Sequence, residues 1–181
     1  NPESLALNNG GTSLTESNLK LWYPMQDGHR GQQSYVLDGA NTGLGDEMIS
    51  DGGFESGTDS WGNDDATLSS SDDYAYSGSK SLKIVQSGTS YDLASKSFTT
   101  IVGVVYKVDM WLYKNVVEDG AVTWRVGESS SGEQNISNTT MSTYGTWTNV
   151  TGYFTATATT TYLVVIPYNG STTTNTCYVD D

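Results

Sequence analysis

The sequence is poor in the residues that carry most familiar chemistry. Cys177 is the only cysteine among 181 residues, so no disulfide can form within the chain. His29 is the only histidine, and one Cys with one His gives no zinc-ligand spacing. A Ser-His-Asp arrangement would have to use His29, which sits in a turn, Asp27-Gly-His-Arg-Gly31, with no nucleophile-elbow pattern nearby. No glycine loop suited to cradling phosphate occurs. Lys and Arg total 8 against 21 Asp and Glu, a net charge of −13. That balance excludes a basic stripe for nucleic acid and disfavours anionic membrane surfaces. No apolar run approaches the roughly 18 residues of a membrane-spanning helix, so no membrane insertion is expected. The first residues are Asn-Pro with no visible signal peptide, the texture of a mature or excerpted piece of a longer protein.

What is present is aromatic and hydroxylic. Five Trp and 12 Tyr accompany abundant Gly, Ser, Thr and Asn, with only 3 Pro. Aromatic content of that order argues for a folded chain, and the small polar residues suit short strands joined by tight turns. Strands are predicted at 67–70, 81–86, 91–98, 104–113, 122–126, 146–154, 161–167 and 177–181, with turn residues between them. No stretch combines helical periodicity with helix-start residues. The fold class is all-β, a sandwich or barrel.

Residues 1–47 differ in texture. Leu19–Tyr23 and Ser34–Asp38 are short strand candidates between Gly- and Asn-rich turns, too few to bury a core alone. They are expected to form an arm that docks on a neighbouring domain or subunit, loosely like arms of phage or bacterial surface proteins.

Alternation sorts the faces. Val104, Tyr106, Val108, Met110 and Leu112 form an apolar set for the core, opposite Val105, Lys107, Asp109, Trp111 and Tyr113. Val122, Trp124 and Val126 oppose Ala121, Thr123 and Arg125, and the facing of Trp124 stays open.

Three stretches share a further pattern. They are Met48–Trp61 with its Gly52-Gly53-Phe54-Glu55 core, Tyr76–Ile84 with Ser77-Gly-Ser-Lys-Ser-Leu-Lys83, and the closing Tyr178-Val-Asp-Asp181. Together they resemble the opening, second strand and closing strand of carbohydrate-binding modules of the family 4/9/16/22 type, over about residues 48–181. The resemblance implies a galactose-binding-like jelly roll and non-catalytic binding of a polysaccharide or glycan. It implies a structural calcium held by Glu55 and by Asp180 or Asp181. Backbone oxygens would come from around Asp51 or Gly53, and from Ser77 and Lys80. It also implies that Trp61 and Trp147 are core rings.

A sugar ring packs its C–H face on an exposed aromatic ring while its hydroxyls take directional polar partners. On that requirement the candidates are Trp111, Tyr113, Trp124 with Arg125, Tyr91 with Asp92, and Tyr168 with Asn169. Gln86 and Asp109 are further hydrogen-bonding groups. The leading expectation is a non-enzymatic module that attaches a larger extracellular or virion protein to a glycan. The alternative is a structural attachment module of a virion or cell-surface assembly, oligomeric through residues 1–47.

Overall fold

A computed structural model describes residues 45–87, 92–115, 121–168 and 175–181. The chain divides after Gly45, and everything described below belongs to the second unit, Asp46–Asp181. The predicted arm, His29 included, lies outside the described residues.

Ten strands run in order: β1 Gly62–Asp64, β2 Thr67–Ser71, β3 Ser81–Val85, β4 Leu93–Thr99, β5 Val105–Lys114, β6 Ala121–Gly127, β7 Ile136–Met141, β8 Thr148–Thr155, β9 Thr160–Tyr168 and β10 Thr176–Asp180. They form two five-stranded antiparallel sheets, β1-β4-β9-β6-β7 (sheet I) and β2-β3-β10-β5-β8 (sheet II). The all-β sandwich expected from the sequence is therefore the fold. Two strands escape the sequence reading. β1 is an exposed Gly-Asn-Asp, and β7 reads Ile-Ser-Asn-Thr-Thr-Met with apolar residues only at its ends.

The core lies between the sheets. Sheet II contributes Leu82, Ile84, Val108, Met110, Leu112, Phe154, Cys177 and Val179; sheet I contributes Ala94, Val122, Trp124, Val126, Leu163 and Val165. Each large aliphatic side chain removed from water there adds roughly 1.5–3 kcal/mol. The alternation predicted for β5 holds from Val108 to Leu112, but Val104 and Val105 at its start are both exposed. Strand β9 breaks alternation, because Leu163, Val164, Val165 and Ile166 are all buried. Val164 and Ile166 join Leu93 and Tyr162 in a second apolar cluster on the far face of sheet I. A continuous apolar run is what a strand covered on both faces requires.

The opening stretch turns on Phe54 rather than on the glycine pair before it. Phe54 has φ 54°, in the left-handed region, and buries its ring edge-on against Trp61 at 6.1 Å. Gly52 serves close approach instead: a Cβ there would lie 3.3 Å from the backbone carbon of Asp181. The chain's closing strand thus seats directly on its opening loop, with Asp181 N donating to Gly52 O at 3.2 Å.

Candidate functional site

The outer face of sheet II carries most of the aromatic rings outside the core. Trp111 and Tyr113 project outward from β5 because their neighbours Met110 and Leu112 point inward. Tyr178 on β10 pairs with Tyr113 in register. Over them lies the segment between β2 and β3. Its Tyr76 stacks on Trp111 at 3.8 Å and 15°, and its Tyr74 stacks on Tyr113 at 4.4 Å and 24°. Trp147, just before β8, meets Tyr76 edge-on at 6.1 Å and Tyr113 at 5.4 Å. Burial, and after it the hydrogen bond with Tyr74, push the Tyr113 phenol above its ordinary value. Within this stacked cluster the outer rings are Tyr76, 43 % exposed, and Tyr74, 36 % exposed.

From the rings a polar row runs along β5 and β8. Register places Trp111 beside Asn149, Asp109 beside Thr151 and Lys107 beside Tyr153. Asp109 accepts from the Lys107 ammonium and from Asn149 Nδ2 at 2.7 Å, and Thr151 Oγ1 donates to Asn149 Oδ1 at 3.0 Å. The Lys107 hydrogen bond, then that of Asn149, holds the Asp109 carboxyl below the usual carboxylate range. Donors and acceptors are thus fixed in place and still open to solvent.

A clasp positions the ring-bearing segment. Asp180, fully buried at the end of β10, accepts Tyr76 N at 2.6 Å, Ser77 N at 3.0 Å and Asp181 N at 3.0 Å. Glu55 accepts Ser79 N at 2.6 Å, Lys80 N at 3.0 Å and Ser79 Oγ at 2.8 Å. The N–H of Ser79 leads in lowering the Glu55 pKa. Asp180 is shifted the other way, because burial raises its pKa more than its N–H donors lower it, and the nearby Asp181 charge adds to the rise. Asp51 caps its own turn, accepting from the N–H groups of Glu55 and Ser56. Lys80 reaches back with its ammonium to the Glu55 carbonyl at 3.3 Å.

Glu55 and Asp180 are the two acids here that a hard cation could use, and both already accept backbone N–H groups, those of Ser77 and Lys80 among them. Asp180 is a buried acid whose carboxylate, among the described residues, is met only by backbone N–H dipoles. A Cβ at Gly53 would lie at ordinary contact distance, 4.0 Å, from both Asp180 Oδ1 and Glu55 Cγ, so this residue sits beside both acids. Among the described residues no three His, Cys, Asp or Glu side chains converge.

Comparison with known families matches residues 46–173 to a carbohydrate binding domain family. The chain belongs to this family. The module also shares its fold with solved members. A family 16 carbohydrate-binding module superposes with TM-score 0.55 at 20 % identity, covering 75 % of this chain and 96 % of that one. A CBM22 xylan-binding domain from Paenibacillus barcinonensis gives TM-score 0.57 at 15 % identity, covering 75 % and 91 %. A CBM4 structure gives 0.51 at 15 % identity, covering 67 % and 90 %. A search among curated proteins gives no match.

The predicted ligand residues do not share one surface of the module. Trp111 and Tyr113 lie on the outer face of sheet II, each already covered by a tyrosine. Trp124 is corrected to a core residue: it is 2 % exposed, and its ring packs where Gly152 leaves space. Arg125 is 6 % exposed and sits on sheet I, pairing with Glu133 at 3.5 Å and donating to Ser130 O at 2.9 Å. Gln86 and Asp92 are buried, and Asp92 accepts from Ser87 N. Tyr91, Asn169 and the side chain of Tyr168 lie outside the described residues. Trp61 is in the core as implied, but Trp147 is corrected to a half-buried member of the outer ring cluster. The sequence reading missed Tyr74, Tyr76, Asn149, Thr151 and Tyr153. Period-two spacing in Tyr74-Ala-Tyr76 and in Asn149-Val-Thr151-Gly-Tyr153 was the available signal.

Proposed function

We propose that this module binds a glycan without catalysis through the outer face of sheet II, and so holds a larger extracellular or virion-surface protein on a polysaccharide. The observation that carries the reading is the adjacency of exposed rings, Tyr74 and Tyr76, to the preorganised Asp109–Asn149–Thr151 row. Apolar C–H faces and hydroxyls of a sugar need that pairing of surfaces. A structural calcium at Glu55 and Asp180 belongs to the same reading, because it would offset the buried charge of Asp180 and stiffen the segment that carries the rings.

Titration calorimetry against soluble glucans, xylans and galactans tests the proposal. The intact protein should bind at least one of them, and Tyr76→Ala should weaken that binding by about tenfold, the scale of one aromatic contact. Folded, calcium-supplied protein that binds none of the three would sink it.

A further inference from the structure

Among the described residues the two sheets present four edge strands, β1 and β7 on sheet I, β2 and β8 on sheet II. An open edge offers a row of N–H and C=O groups to any other strand, and proteins protect such rows with charge, proline, bulges or brevity. Three of the four edges are protected in this way. β1 is three residues long and ends on Asp64. β2 is five residues long and runs into Asp72 and Asp73. The pairing of β7 with β6 slips register between Trp124 and Val126. β8 has none of these devices. It runs eight residues, Thr148–Thr155, in unbroken register with β5, and it contains no charge and no proline. No described strand pairs with its other side.

The surroundings of β8 are equally bare. From Gln134 to Val179 the sequence holds no Asp, Glu, Lys or Arg, in a chain that carries −13. The turn into β5 is neutral and apolar, with Ile101, Val102, Val104 and Val105 all exposed, Ile101 by 67 % and Val105 by 62 %. Hydrogen bonds fix this turn against the end of β8. Gly103 N donates to Ala156 O at 2.9 Å, and Ala156 N donates to Val104 O at 3.0 Å. Apolar side chains gathered in this way mark a contact surface.

We infer that β8 pairs antiparallel with β8 of a second copy, joining sheet II of the two chains into one continuous sheet. The charge selects this occupant. In a two-fold pairing a strand meets itself, so any charge on it would face the same charge. Two chains of −13 come together most readily where neither carries any charge. Residues directly opposite share a face, so the exposed Asn149, Thr151, Tyr153 and Thr155 must meet one another and not the inward set. With Thr151 on the two-fold axis, Tyr153 lies opposite Asn149 of the second copy, and Thr155 lies opposite its Trp147. Each apolar turn is then carried toward the start of β8 in the other copy, where Tyr144 is 49 % exposed. The pairing does not depend on the glycan reading.

Sedimentation equilibrium of the full chain over a wide range of concentration, joined to hydrogen exchange of the β8 amides, tests the pairing. The mass should rise with concentration to that of two chains, and the edge-facing N–H groups of β8 should become protected along with it. Added salt should strengthen the dimer, because it screens the net charge of the two chains. Thr151→Glu sets like charges opposite each other at the axis and should weaken the dimer by about tenfold or more. Thr151→Gln, of the same size without the charge, should keep it. Thr151 is exposed, so both variants should retain the wild-type circular dichroism. A monomer at every concentration overturns the inference, as does a dimer that Thr151→Glu leaves intact. A monomer whose β8 amides are already protected overturns it too, since a segment of the same chain would then hold that edge.

Discussion

Gly152 lies beneath the polar row, between Thr151 and Tyr153, and its missing side chain is filled by its neighbours. A Cβ at this position would stand 2.8 Å from Trp124 Cη2 and 2.8 Å from Ile136 Cδ1. Trp124 is locked in the core, whereas Ile136 is half-buried on the edge strand β7 and has some room to move. Gly152→Ala therefore overpacks a junction between the two sheets, at a cost of about 1–3 kcal/mol. Its backbone is not left-handed, so the alanine recovers roughly 0.4–1 kcal/mol by restricting the unfolded chain. The net loss is about 1 kcal/mol, or a fall of roughly 3–5 °C in Tm for a unit of this size. Trimming the movable neighbour should return part of it. Ile136→Val removes the Cδ1 that clashes, and the Gly152→Ala/Ile136→Val pair should lose at least about 0.5 kcal/mol less than the sum of the single losses. Urea unfolding of the four proteins gives the cycle directly. An alanine variant as stable as wild type, or strictly additive losses, would refute the packing argument.

Two other expectations follow from the electrostatics. Asp109 is held below its ordinary 3.8 chiefly by Lys107, so its contribution to the row is complete above that value and is lost as pH falls through the lowered one. Glycan affinity should then be level from neutral pH down to about 4 and decline below it, and Asp109→Asn should remove the acid limb; a decline centred near neutrality would contradict this assignment. At the clasp, calcium in hundredfold excess over its dissociation constant should stabilise the fold by about 2.7 kcal/mol. Chelation should lower Tm, and Glu55→Gln should abolish the difference; equal melting with and without chelator would remove the ion from the account.

The sandwich was legible because its central strands alternate or run continuously apolar. Met110-Trp-Leu112 and Leu163–Ile166 can bury themselves in few other ways. Strands β1 and β7 were not legible, since edge strands of Gly, Asn, Ser and Thr carry little burial signal. The clasp could be read from Glu55 and Asp180 through family resemblance, but the partners they hold are backbone N–H groups, which no side-chain pattern announces. Trp124 misled because its own strand is buried on both faces, so alternation along β6 no longer separates core from surface. The ring face was half visible. Trp111 and Tyr113 follow from β5 alone, whereas Tyr74 and Tyr76 reach them only through a loop whose path the clasp sets.

The seam between Gly52 and Asp181 also has a mechanical meaning. It places the first loop and the last strand of the unit side by side, so a tether pulling from both ends would load that seam and the Asp180 bonds first. Strand β5 takes load next, because β10 pairs with it from Cys177–Lys114 to Asp180–Trp111, and β8 stands behind β5 in eight register pairs. Strain on the Asp180 bonds also reaches the ring face, because the same bonds hold Tyr76, the ring stacked on Trp111.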